Sequence, residues 1–425
     1  MAPRGGRIMF VVPKHAKSWV ECPPGCDFPI QNLPFGLAAP KGRQEAVVVA
    51  IGEFALDTCI LMEEGLLSQD EFPILDCFIE LDVEALRNLR RQVFGLLSEG
   101  DPRLRDNASL RKRALIPISE ANLQVPIAPG SFVDFYSGIN HASNVGRMFR
   151  PDSPPLLPNY RWMPIAYNGR ANTVVASGTG VVRPKGQMKA QDSDAPVYGP
   201  CRELDFELEM GVYVSHGQDP GKRITAKSAE DHVLGLVIVN DWSARDVQRW
   251  EYQPLGPFLA KSFATTVSPW IVMLDALEPF RVEGMSQDPA PLPHLRVQGT
   301  PQFDVQLEVW LKTSKAKSPT RICATNMDQL YWSVSQQIAH MTSNGTPLEF
   351  GDLFATGTIS GTEPGTFGSL LELTWRGSQP IDIEGTGEAR TFLEDGDTVT
   401  MKAFAERDGL RIGFGECSGK VAAAL

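Results

Sequence analysis

Alternating apolar and polar residues dominate the chain beyond residue 129. The spacing of two that is typical of a β-strand occurs in "FDVQLEVWL", at Phe303, Val305, Leu307, Val309 and Leu311. Shorter runs of the same kind recur at 212–214, 233–239, 353–361 and 370–375. Helical spacing occurs at 332–341, and a second helix is expected after Asp241. We therefore predict a large, mainly β domain with few helices.

The first part of the chain predicts a smaller β-rich unit. Residues 8–81 hold short apolar runs, such as 46–51, that are broken by proline and glycine. Residues 117–129 carry little periodic signal and predict a linker. We therefore place one domain at 1–128 and a second at 129–425.

One helix is predicted within the N-terminal domain. Asp82 is suited to cap it, and the helix is expected near 82–99, with Gly100 as its stop. Its helically spaced apolar positions are Leu86, Leu89, Val93, Leu96 and Leu97.

The run "ELDFELEM", residues 203–210, places three carboxylates on one face of a predicted strand. Asp205, Glu207 and Glu209 alternate with apolar residues, so neighbouring acids lie roughly 6 to 7 Å apart. One interpretation is a half-buried strand with a solvated acidic face. The rival is a divalent cation held by oxygen ligands, because three like charges on one face repel each other. The strand alone does not choose between the two.

The composition is that of a globular protein large enough for two domains. Of 425 residues, 42% are hydrophobic and 21% charged, and the 38 glycines and 33 prolines indicate many turns. A net charge of −11 argues against nucleic acid or an anionic membrane surface as the main partner. An anionic substrate would therefore need local cations at its site.

The sequence predicts a cytoplasmic location. The apolar run 8–12 is too short for a signal-peptide core, and no apolar stretch is long enough to span a bilayer. The C-terminal Ala-Ala-Leu is not a peroxisomal signal. Among 7 cysteines, Cys22 and Cys26 form one close pair, but no second Cys or His pair follows at zinc-finger spacing. Free thiols in a reducing cytosol are the expected state.

The segment "FVDFYSGINHASNVGRMFR" carries a candidate general base. Asp134 and Tyr136 lie two apart on a predicted strand face, and His141 follows in a turn beyond Gly138. A single histidine is more often structural than catalytic, although the Gly-Ser-Asn-rich turn and the nearby acid modestly strengthen the case for a general base.

Polar residues gather where the apolar strand ends, at Asn240 and Asp241. Ser243 is suited to cap a helix with three polar residues on one stripe, at Arg245, Gln248 and Tyr252. Lys261 follows among apolar neighbours, where an ammonium group needs a partner. Arg245 could form a surface salt bridge and Lys261 could reach solvent. Together, however, they offer donors for an oxyanion beside a metal.

Near the C-terminus, "SLLELTW" predicts a strand that presents Glu372 and Thr374 on one face. Glu372 either orients a histidine by accepting its ring proton or is an exposed strand residue. The neighbouring "ATGTISG", residues 355–361, supplies glycines and hydroxyls suited to a loop that approaches a ligand closely.

Taken in order, these segments resemble the fumarylacetoacetase family, which carries out the last step of phenylalanine and tyrosine breakdown. The resemblance covers essentially the whole chain and rests on "DFPIQNLPFG", "DFYSGINHASNVGRMFR", "YNGRANTVVASGT", "LDFELEM", "NDWSARDVQRWEYQPLGPFLAKSFATTVSPW" and "GTISG". It implies an N-terminal SH3-like barrel domain, a C-terminal mixed β-roll domain that holds the active site, and a homodimer.

The resemblance also implies the site residues. Calcium ligands match Asp134, Glu207, Glu209 and Asp241. A magnesium site matches Asp241, the backbone carbonyl of Lys261, and Thr265. The general base matches His141 with Glu372 as its orienting partner, and the oxyanion donors match Arg245, Gln248 and Lys261. Substrate contacts match Tyr136, Arg150, Tyr167, Gln248, Tyr252 and Thr358. Asp205 is not among the ligands and is expected to support them or to be solvated.

Two stretches depart from the family pattern. Residues 137–140 read Ser-Gly-Ile-Asn where animal members have Ser-Ser-Arg-Gln, and Asn168 stands where many members have His. Neither position has a catalytic role in the family, so the departures bear on substrate positioning and not on the reaction.

The expected activity is metal-assisted hydrolysis of the carbon–carbon bond of 4-fumarylacetoacetate, a small diketo acid, to fumarate and acetoacetate. The alternatives on the same fold are acylpyruvate hydrolysis and oxaloacetate decarboxylation. A calcium-stabilised β module without chemistry is a rival from another class, but it gives no role to His141 and Glu372. Oxygen ligands accept Ca²⁺, Mg²⁺ and Mn²⁺ alike, so the sequence does not select the ion.

Overall fold

The computed structural model describes residues 9–68, 82–190 and 192–425, and these are mainly β, as predicted. Residues 1–8 and 69–81 of the predicted N-terminal domain lie outside the described residues. No helix in the three described ranges is long and apolar enough to cross a membrane. The helices are α1 Thr58–Glu63, α2 Val83–Leu97, α3 Pro102–Arg105, α4 Ala108–Ala114, α5 Ile139–Phe149, α6 Arg245–Glu251, α7 Leu274–Leu277, α8 Val334–Met341 and α9 Leu370–Leu373.

The strands are also numbered in chain order. They are β1 Phe35–Ala38, β2 Ala46–Ile51, β3 Phe54–Asp57, β4 Leu115–Pro117, β5 Phe132–Phe135, β6 Ala166–Asn168, β7 Val174–Ala176, β8 Gly180–Val182, β9 Lys185–Met188, β10 Val197–Pro200, β11 Leu204–Asp205, β12 Leu208–Val214, β13 Val233–Asp241, β14 Ser243–Ala244, β15 Thr265–Val267, β16 Arg281–Val282, β17 Gln302–Phe303, β18 Gln306–Lys312, β19 Thr320–Asn326, β20 Leu353–Ala355, β21 Ile381–Ile383, β22 Glu388–Arg390, β23 Thr398–Arg407 and β24 Leu410–Ala422.

A seven-stranded sheet lies at the centre of the structure. Its order is β6-β5-β20-β12-β13-β15-β7, and the pairs are antiparallel except for β5/β20 and β7/β15. Strands β12 and β13 are buried along their whole length, which explains their nearly continuous apolar sequence. Alternate residues of β13 enter two different cores, with Ile238 on one face and Val239 on the other.

The face of Ile238 packs against a five-stranded sheet of order β19-β18-β23-β24-β8. Strand β18 alternates between buried and less buried positions, so Leu307, Val309 and Leu311 point inward as predicted. Phe303 and Val305 are also buried, but Phe303 belongs to β17, and the predicted single strand is divided between them.

The face of Val239 packs against the N-terminal unit, whose sheet is antiparallel with order β1-β2-β3-β4. The predicted helix of this unit is confirmed as α2, with its N-terminus capped where the Asp82 carboxylate accepts from the Ala85 amide at 2.8 Å. The helix ends at Leu97, slightly before the predicted end. All the predicted apolar positions are buried, namely Leu86, Leu89, Val93, Leu96 and Leu97.

The helix predicted at 332–341 is confirmed as α8, and Ser333 and Gln336 form a capping box at its start.

Three local predictions are wrong. Residues 370–373 form the short helix α9 instead of a strand, because the Ser369 hydroxyl accepts from the Glu372 amide and starts a helical turn. The strand predicted at 353–361 ends at Ala355. Ser243 does not cap α6, because its hydroxyl donates to the Asp241 carbonyl oxygen.

A buried ion pair joins the N-terminal unit to the central sheet. The Arg87 guanidinium of α2 donates to both carboxylate oxygens of Asp275 in α7, at 2.7 and 3.1 Å. Asp275 also accepts from the Phe10 amide at 2.6 Å. Both side chains are nearly inaccessible to solvent. Burial raises the pKa of Asp275, but the bonds from Arg87 and Phe10 outweigh it and hold that pKa below its ordinary value.

Replacement of Asp275 by alanine leaves the Arg87 charge buried with only the exposed Glu84 as a carboxylate partner. We expect a loss of about 3 kcal/mol in the free energy of unfolding, measured by urea denaturation. Adding Arg87→Met should recover part of the loss, because the uncompensated charge is then removed.

The matched control is Asp219→Ala, which breaks the exposed pair with Lys222. This change should barely alter the urea midpoint. If Asp275→Ala were as mild as the control, the pair would not secure the contact between the two parts of the chain.

Candidate active site

A cavity of about 360 Å³ opens at one edge of the central sheet. Its lining includes most of the residues singled out in the sequence, namely Asp134, Tyr136, His141, Arg150, Tyr167, Glu207, Glu209, Arg245, Gln248, Tyr252, Lys261 and Thr358. The remaining three lie directly behind this lining: Glu372 touches His141, Asp241 touches Lys261, and Thr265 touches Asp241. The fold therefore brings all of the predicted site residues together.

The sheet register explains how distant acids meet. Asp134 lies on β5, Glu209 on β12 and Asp241 at the end of β13, and these strands are near neighbours in the sheet. Cross-strand pairing sets Tyr167 opposite Asp134 and Thr265 opposite Asp241. The Thr265 hydroxyl donates to the Asp241 carboxylate at 3.1 Å. The Tyr167 hydroxyl reaches past its cross-strand partner Asp134 and donates to the same Asp241 carboxylate at 2.6 Å.

Four of these carboxylates form a cluster. One oxygen from each of Asp134, Glu207, Glu209 and Asp241 lies within 4.8 Å of the others, and all four residues are buried. A solvated acidic face is therefore ruled out for the run 203–210. The run is also not one strand, since β11 ends at Asp205 and β12 begins at Leu208.

The cluster fits a hard divalent cation. Oδ1 of Asp134 and Oε1 of Glu209 are buried and have no hydrogen-bond partner. Burial, together with repulsion from the neighbouring carboxylates, raises the pKa values of Asp134 and Glu209 well above the ordinary range. Unpartnered carboxylate oxygens around one point are the donor set that Ca²⁺ and Mg²⁺ prefer.

Gly357 brings a backbone donor to the same cluster. Its amide donates to Glu209 at 3.1 Å, and its φ of 79° lies in the left-handed region that favours glycine. A Cβ at this position would lie 2.2 Å from the Phe135 carbonyl oxygen. The loop predicted from "ATGTISG" therefore approaches the site as closely as its sequence suggested.

Glu207 differs from the other acids of the cluster because two cations hold it. Lys261 Nζ contacts its carboxylate, and Arg245 Nη1 lies 2.7 Å from Oε1. Burial raises the pKa of Glu207, but Lys261 and Arg245 outweigh this and lower it far below the ordinary value. These two cations therefore favour the ionised form of Glu207.

Lys261 is buried inside the cluster and does not reach solvent. Its ammonium donates to Asp241 at 2.7 Å as well as to Glu207. Burial alone would lower the pKa of Lys261, but the two carboxylates raise it above the ordinary value. The lysine therefore supplies a permanent positive charge to the cavity.

A histidine and a glutamate form the second half of the site. Nδ1 of His141 lies 2.6 Å from Oε2 of Glu372, and Nε2 of His141 lies 3.9 Å from Oε1 of Glu207. His141 lies in the first turn of α5 and not in a loop, because the helix begins directly after Gly138. The bond at Nδ1 fixes the ring and leaves Nε2 directed toward the acid cluster.

Three further groups hold Glu372, none of which was predicted. Ser360 and Ser369 donate hydroxyl protons to Oε2 at 2.9 and 2.8 Å, and Asn144 donates to Oε1 at 3.0 Å. Burial raises the pKa of Glu372, but His141 and these donors outweigh it, so the net shift is downward. Glu372 is thus a fixed anion, and the alternative of an exposed strand glutamate is wrong.

Asp205 is buried and links the two halves of the site. Oδ2 accepts from Arg245 Nε at 2.8 Å and from the Leu371 amide at 3.0 Å, while Oδ1 accepts from the Leu370 amide at 2.7 Å. Leu370 and Leu371 open α9, the helix that carries Glu372. One carboxylate therefore positions both Arg245 and the partner of His141, a role that its place beside Glu207 could not reveal.

Arg245 is fully enclosed and is not a surface salt bridge. Its Nη1 also donates to Gln248 at 3.1 Å, whereas Nη2 is buried without a partner. Thr358 Oγ1 and Arg150 Nε are likewise buried and unpartnered. These groups are donors available to a ligand in the cavity.

The structure explains some of the residues that depart from the family pattern at 137–140 and 168. A Cβ on Gly138 would lie 2.4 Å from the Thr358 carbonyl oxygen, so glycine lets this segment approach the Thr358 backbone. The Asn140 side chain donates to the Ser360 carbonyl oxygen at 3.0 Å. Asn168 lines a smaller neighbouring cavity that Tyr167 and Lys261 also line. Nothing in the structure explains the choice of asparagine there.

Two family models match the chain. The "Fumarylacetoacetase N-terminal" model matches residues 31–126, and the "Fumarylacetoacetate (FAA) hydrolase C-terminal" model matches residues 132–422. The fumarylacetoacetase of Homo sapiens is 47% identical over 96% of this chain and 99% of its own length. That of Oryza sativa subsp. japonica is 44% identical over 96% of this chain and 98% of its own length.

A solved structure shows the same fold. The fumarylacetoacetate hydrolase from psychrophilic Exiguobacterium antarcticum superposes with a TM-score of 0.52 at 18% identity, covering 92% of this chain and 99% of that one. The two family models together span most of the sequence, and the plant and human relatives align along nearly all of it. This chain therefore belongs to the fumarylacetoacetate hydrolase family.

Proposed function

We propose that this protein hydrolyses the carbon–carbon bond of 4-fumarylacetoacetate and releases fumarate and acetoacetate. The observation that carries the proposal is the pairing of His141 and Glu372 across one cavity from four clustered carboxylates. Such hydrolysis needs an activated water and positive charge for the oxyanion that forms. The names of the human and rice relatives give the substrate.

His141 is the proposed general base. Because Glu372 occupies Nδ1, the proton from water is taken up at Nε2, which faces the cavity. Glu372 stabilises the imidazolium that results and keeps the ring in place. The resulting hydroxide attacks the fumaroyl carbonyl carbon.

Arg245, Gln248 and Lys261 are the proposed donors to the alkoxide formed by this attack. Arg245 Nη2 is buried and unpartnered, so it can bind a developing negative charge without breaking an existing bond. Both cations are held by carboxylates within a buried site, which preorganises them and excludes bulk water. Collapse of the alkoxide then expels the acetoacetyl carbon as an enolate, which is protonated to acetoacetate.

The residues that would hold a calcium ion are Asp134, Glu207, Glu209 and Asp241. When bound, the ion supplies positive charge that stabilises the enolate leaving group. A magnesium ion is proposed at Asp241, Thr265 and the Lys261 carbonyl oxygen. The substrate is proposed to contact Tyr136, Arg150, Tyr167, Gln248, Tyr252 and Thr358, with Arg150 suited to a carboxylate end.

Finer features of the family likeness are also proposed for this chain. They are an N-terminal SH3-like barrel, a C-terminal mixed β-roll, a domain boundary between 128 and 129, a homodimer and a cytoplasmic location. The two regions matched by the family models, 31–126 and 132–422, support a boundary in this interval.

Replacing His141 by asparagine should lower kcat by on the order of 10² to 10⁴, because proton transfer from water is lost. Fumarate release from 4-fumarylacetoacetate measures the effect, with an acylpyruvate assayed in parallel as the competing substrate class. In the His141→Asn background, adding Glu372→Gln should change kcat little, since the two residues act as one unit.

The control is His294→Asn, which alters an exposed histidine and should leave kcat unchanged. Near-normal turnover by His141→Asn would show that His141 is not the general base. Faster turnover of the acylpyruvate by the unaltered protein would overturn the assigned substrate.

Replacing Glu209 by glutamine tests the ion. Glutamine keeps an acceptor for the Gly357 amide but removes a charge. With Ca²⁺ at a hundredfold excess over its Kd, binding stabilises the folded protein by about 2.7 kcal/mol. Most of the corresponding rise in Tm should disappear in Glu209→Gln, as measured by thermal melting with calcium and with a chelator.

Glu363→Gln is the matched surface control and should keep the full calcium response. The metal site is disproved if Glu209→Gln also keeps it. It is equally disproved if Ca²⁺, Mg²⁺ and Mn²⁺ all leave the unaltered protein's Tm unchanged.

Replacing Asp205 by asparagine tests its linking role. The new amide group would point at donors on Arg245 or on α9, so both halves of the site should shift. We expect kcat to fall by about tenfold or more with KM changed less, alongside a loss of roughly 1 to 3 kcal/mol in stability.

Asp397→Asn is the control, because Asp397 is a buried carboxylate bound to Arg390 and the Glu394 amide but does not line the cavity. It should lose similar stability at unchanged kcat. Equal kcat losses in both variants would mean that Asp205 acts only through general stability.

A further inference from the structure

A pair of cysteines lies on a tight turn that the proposed reaction does not use. Cys22 and Cys26 flank the sequence Pro-Pro-Gly, and the Cys26 amide donates to the Pro23 carbonyl oxygen at 3.0 Å. Gly25 has a φ of 78°, the left-handed value that such a turn requires. The two prolines fix their own φ angles, so the turn holds the cysteines in one relative position.

The turn places both sulfur atoms against the backbone of Phe28. Cys22 Sγ lies 3.6 Å from the Phe28 carbonyl oxygen, and Cys26 Sγ accepts from the Phe28 amide at 3.3 Å. Both thiols therefore converge on the backbone of one residue. Both are free thiols and partly exposed to solvent, so a small oxidant can reach them.

The two thiols have different chemical character. The neighbouring Cys22 thiol is the main cause that lowers the pKa of Cys26 to about 7, whereas Cys26 and burial raise the pKa of Cys22. Of the two thiols, Cys26 is therefore the one favoured to lose its proton. The thiolate is the form that attacks peroxides.

We propose that Cys22 and Cys26 form an oxidisable dithiol, a modification site at which a hydroperoxide converts the pair into a disulfide. The Cys26 thiolate attacks one peroxide oxygen, and the O–O bond breaks. Cys26 becomes a sulfenic acid, and the other oxygen leaves with the electron pair and takes up a proton. The Cys22 sulfur then displaces hydroxide from Cys26 and loses its proton, forming the S–S bond. For hydrogen peroxide, two thiols give up two electrons and two protons, and two waters form.

The site lies where the N-terminal unit meets the last strand. Asp27, directly after Cys26, accepts from Arg411 of β24 at 2.8 Å. Asn32 donates to the carbonyl oxygens of Asp27 and Gly413, each at 2.8 Å. Phe28 packs on Trp270 with ring centroids 5.5 Å apart. Closing the disulfide would therefore lock a segment that holds the two parts of the chain together.

Trypsin offers a direct test, because residues 18–41 contain both cysteines and no internal lysine or arginine. The full-length protein is treated with a slight excess of hydrogen peroxide at neutral pH, alkylated and digested. Peptide 18–41 should lose the mass of two hydrogen atoms and take up no alkylating reagent. When the oxidised protein is reduced with dithiothreitol before alkylation, both cysteines of peptide 18–41 should again take up the alkylating reagent.

Single variants test the assigned roles. In Cys22→Ser, Cys26 should accumulate as sulfenic acid and be trapped by dimedone. In Cys26→Ser, peptide 18–41 should stay reduced under the same treatment. Cys59→Ser, at another partly buried cysteine, should leave disulfide formation unchanged. All three variants should keep full hydrolase activity, so the result is independent of the proposed reaction.

Two outcomes would overturn the proposal. One is a peptide 18–41 that keeps two alkylatable thiols after peroxide treatment. The other is a dimedone adduct on Cys22 in the Cys26→Ser variant together with none on Cys26 in the Cys22→Ser variant. That result would mean that Cys22, and not Cys26, attacks the peroxide.

Discussion

Buried negative charge is the constraint around which this structure is arranged. Carboxylates from distant parts of the chain are withdrawn from water around one cavity, at Asp134, Asp205, Glu207, Glu209, Asp241 and Glu372. A buried carboxylate is costly unless a cation or several donors accompany it. Arg245, Lys261 and His141 meet that demand for some of them. The unsatisfied oxygens of Asp134 and Glu209 define where further positive charge is needed.

The same constraint explains why Arg245 and Lys261 are suited to chemistry. Each is held by two carboxylates, so neither moves freely, yet Arg245 keeps one nitrogen without a partner. A cation fixed in advance stabilises a developing anion without the reorganisation that water would require. The acids thus do more than form a candidate cation site, because they also fix the positions of Arg245 and Lys261 beside the cavity.

Sequence patterns predicted much of the fold, and the reasons for the failures are local. Period-two spacing predicted β18, short apolar runs predicted β12 and β13, and Asp82 with the helically spaced apolar residues after it predicted α2. The strand predicted around Glu372 was wrong because two leucines hid a helix start, although Ser369 three residues before Glu372 is a capping signature. His141 was expected in a turn because glycine and serine flank it, yet α5 begins at Ile139 and includes it, with the Ala142 amide donating to the Gly138 carbonyl oxygen at 3.0 Å.

The site was predicted more through long motifs than through spacing. Asp205, Glu207 and Glu209 look equivalent in sequence, and only tertiary contacts divide them into a support for Arg245, an anion held by two cations, and a carboxylate with a free oxygen. Asn144 was missed for the same reason, since its partner Glu372 is far away in the chain, and Ser360, although nearer in sequence, bonds to Glu372 only because the chain folds back between them.

The core between the central sheet and the N-terminal unit has a consequence for how the protein can be produced. Leu234, Val237 and Val239 of the central sheet share one buried core with N-terminal residues such as Leu89 and Val93. A fragment that begins after residue 129 would expose this apolar face to water and would be prone to aggregation. The C-terminal half of the chain thus depends on the N-terminal half to cover this apolar face.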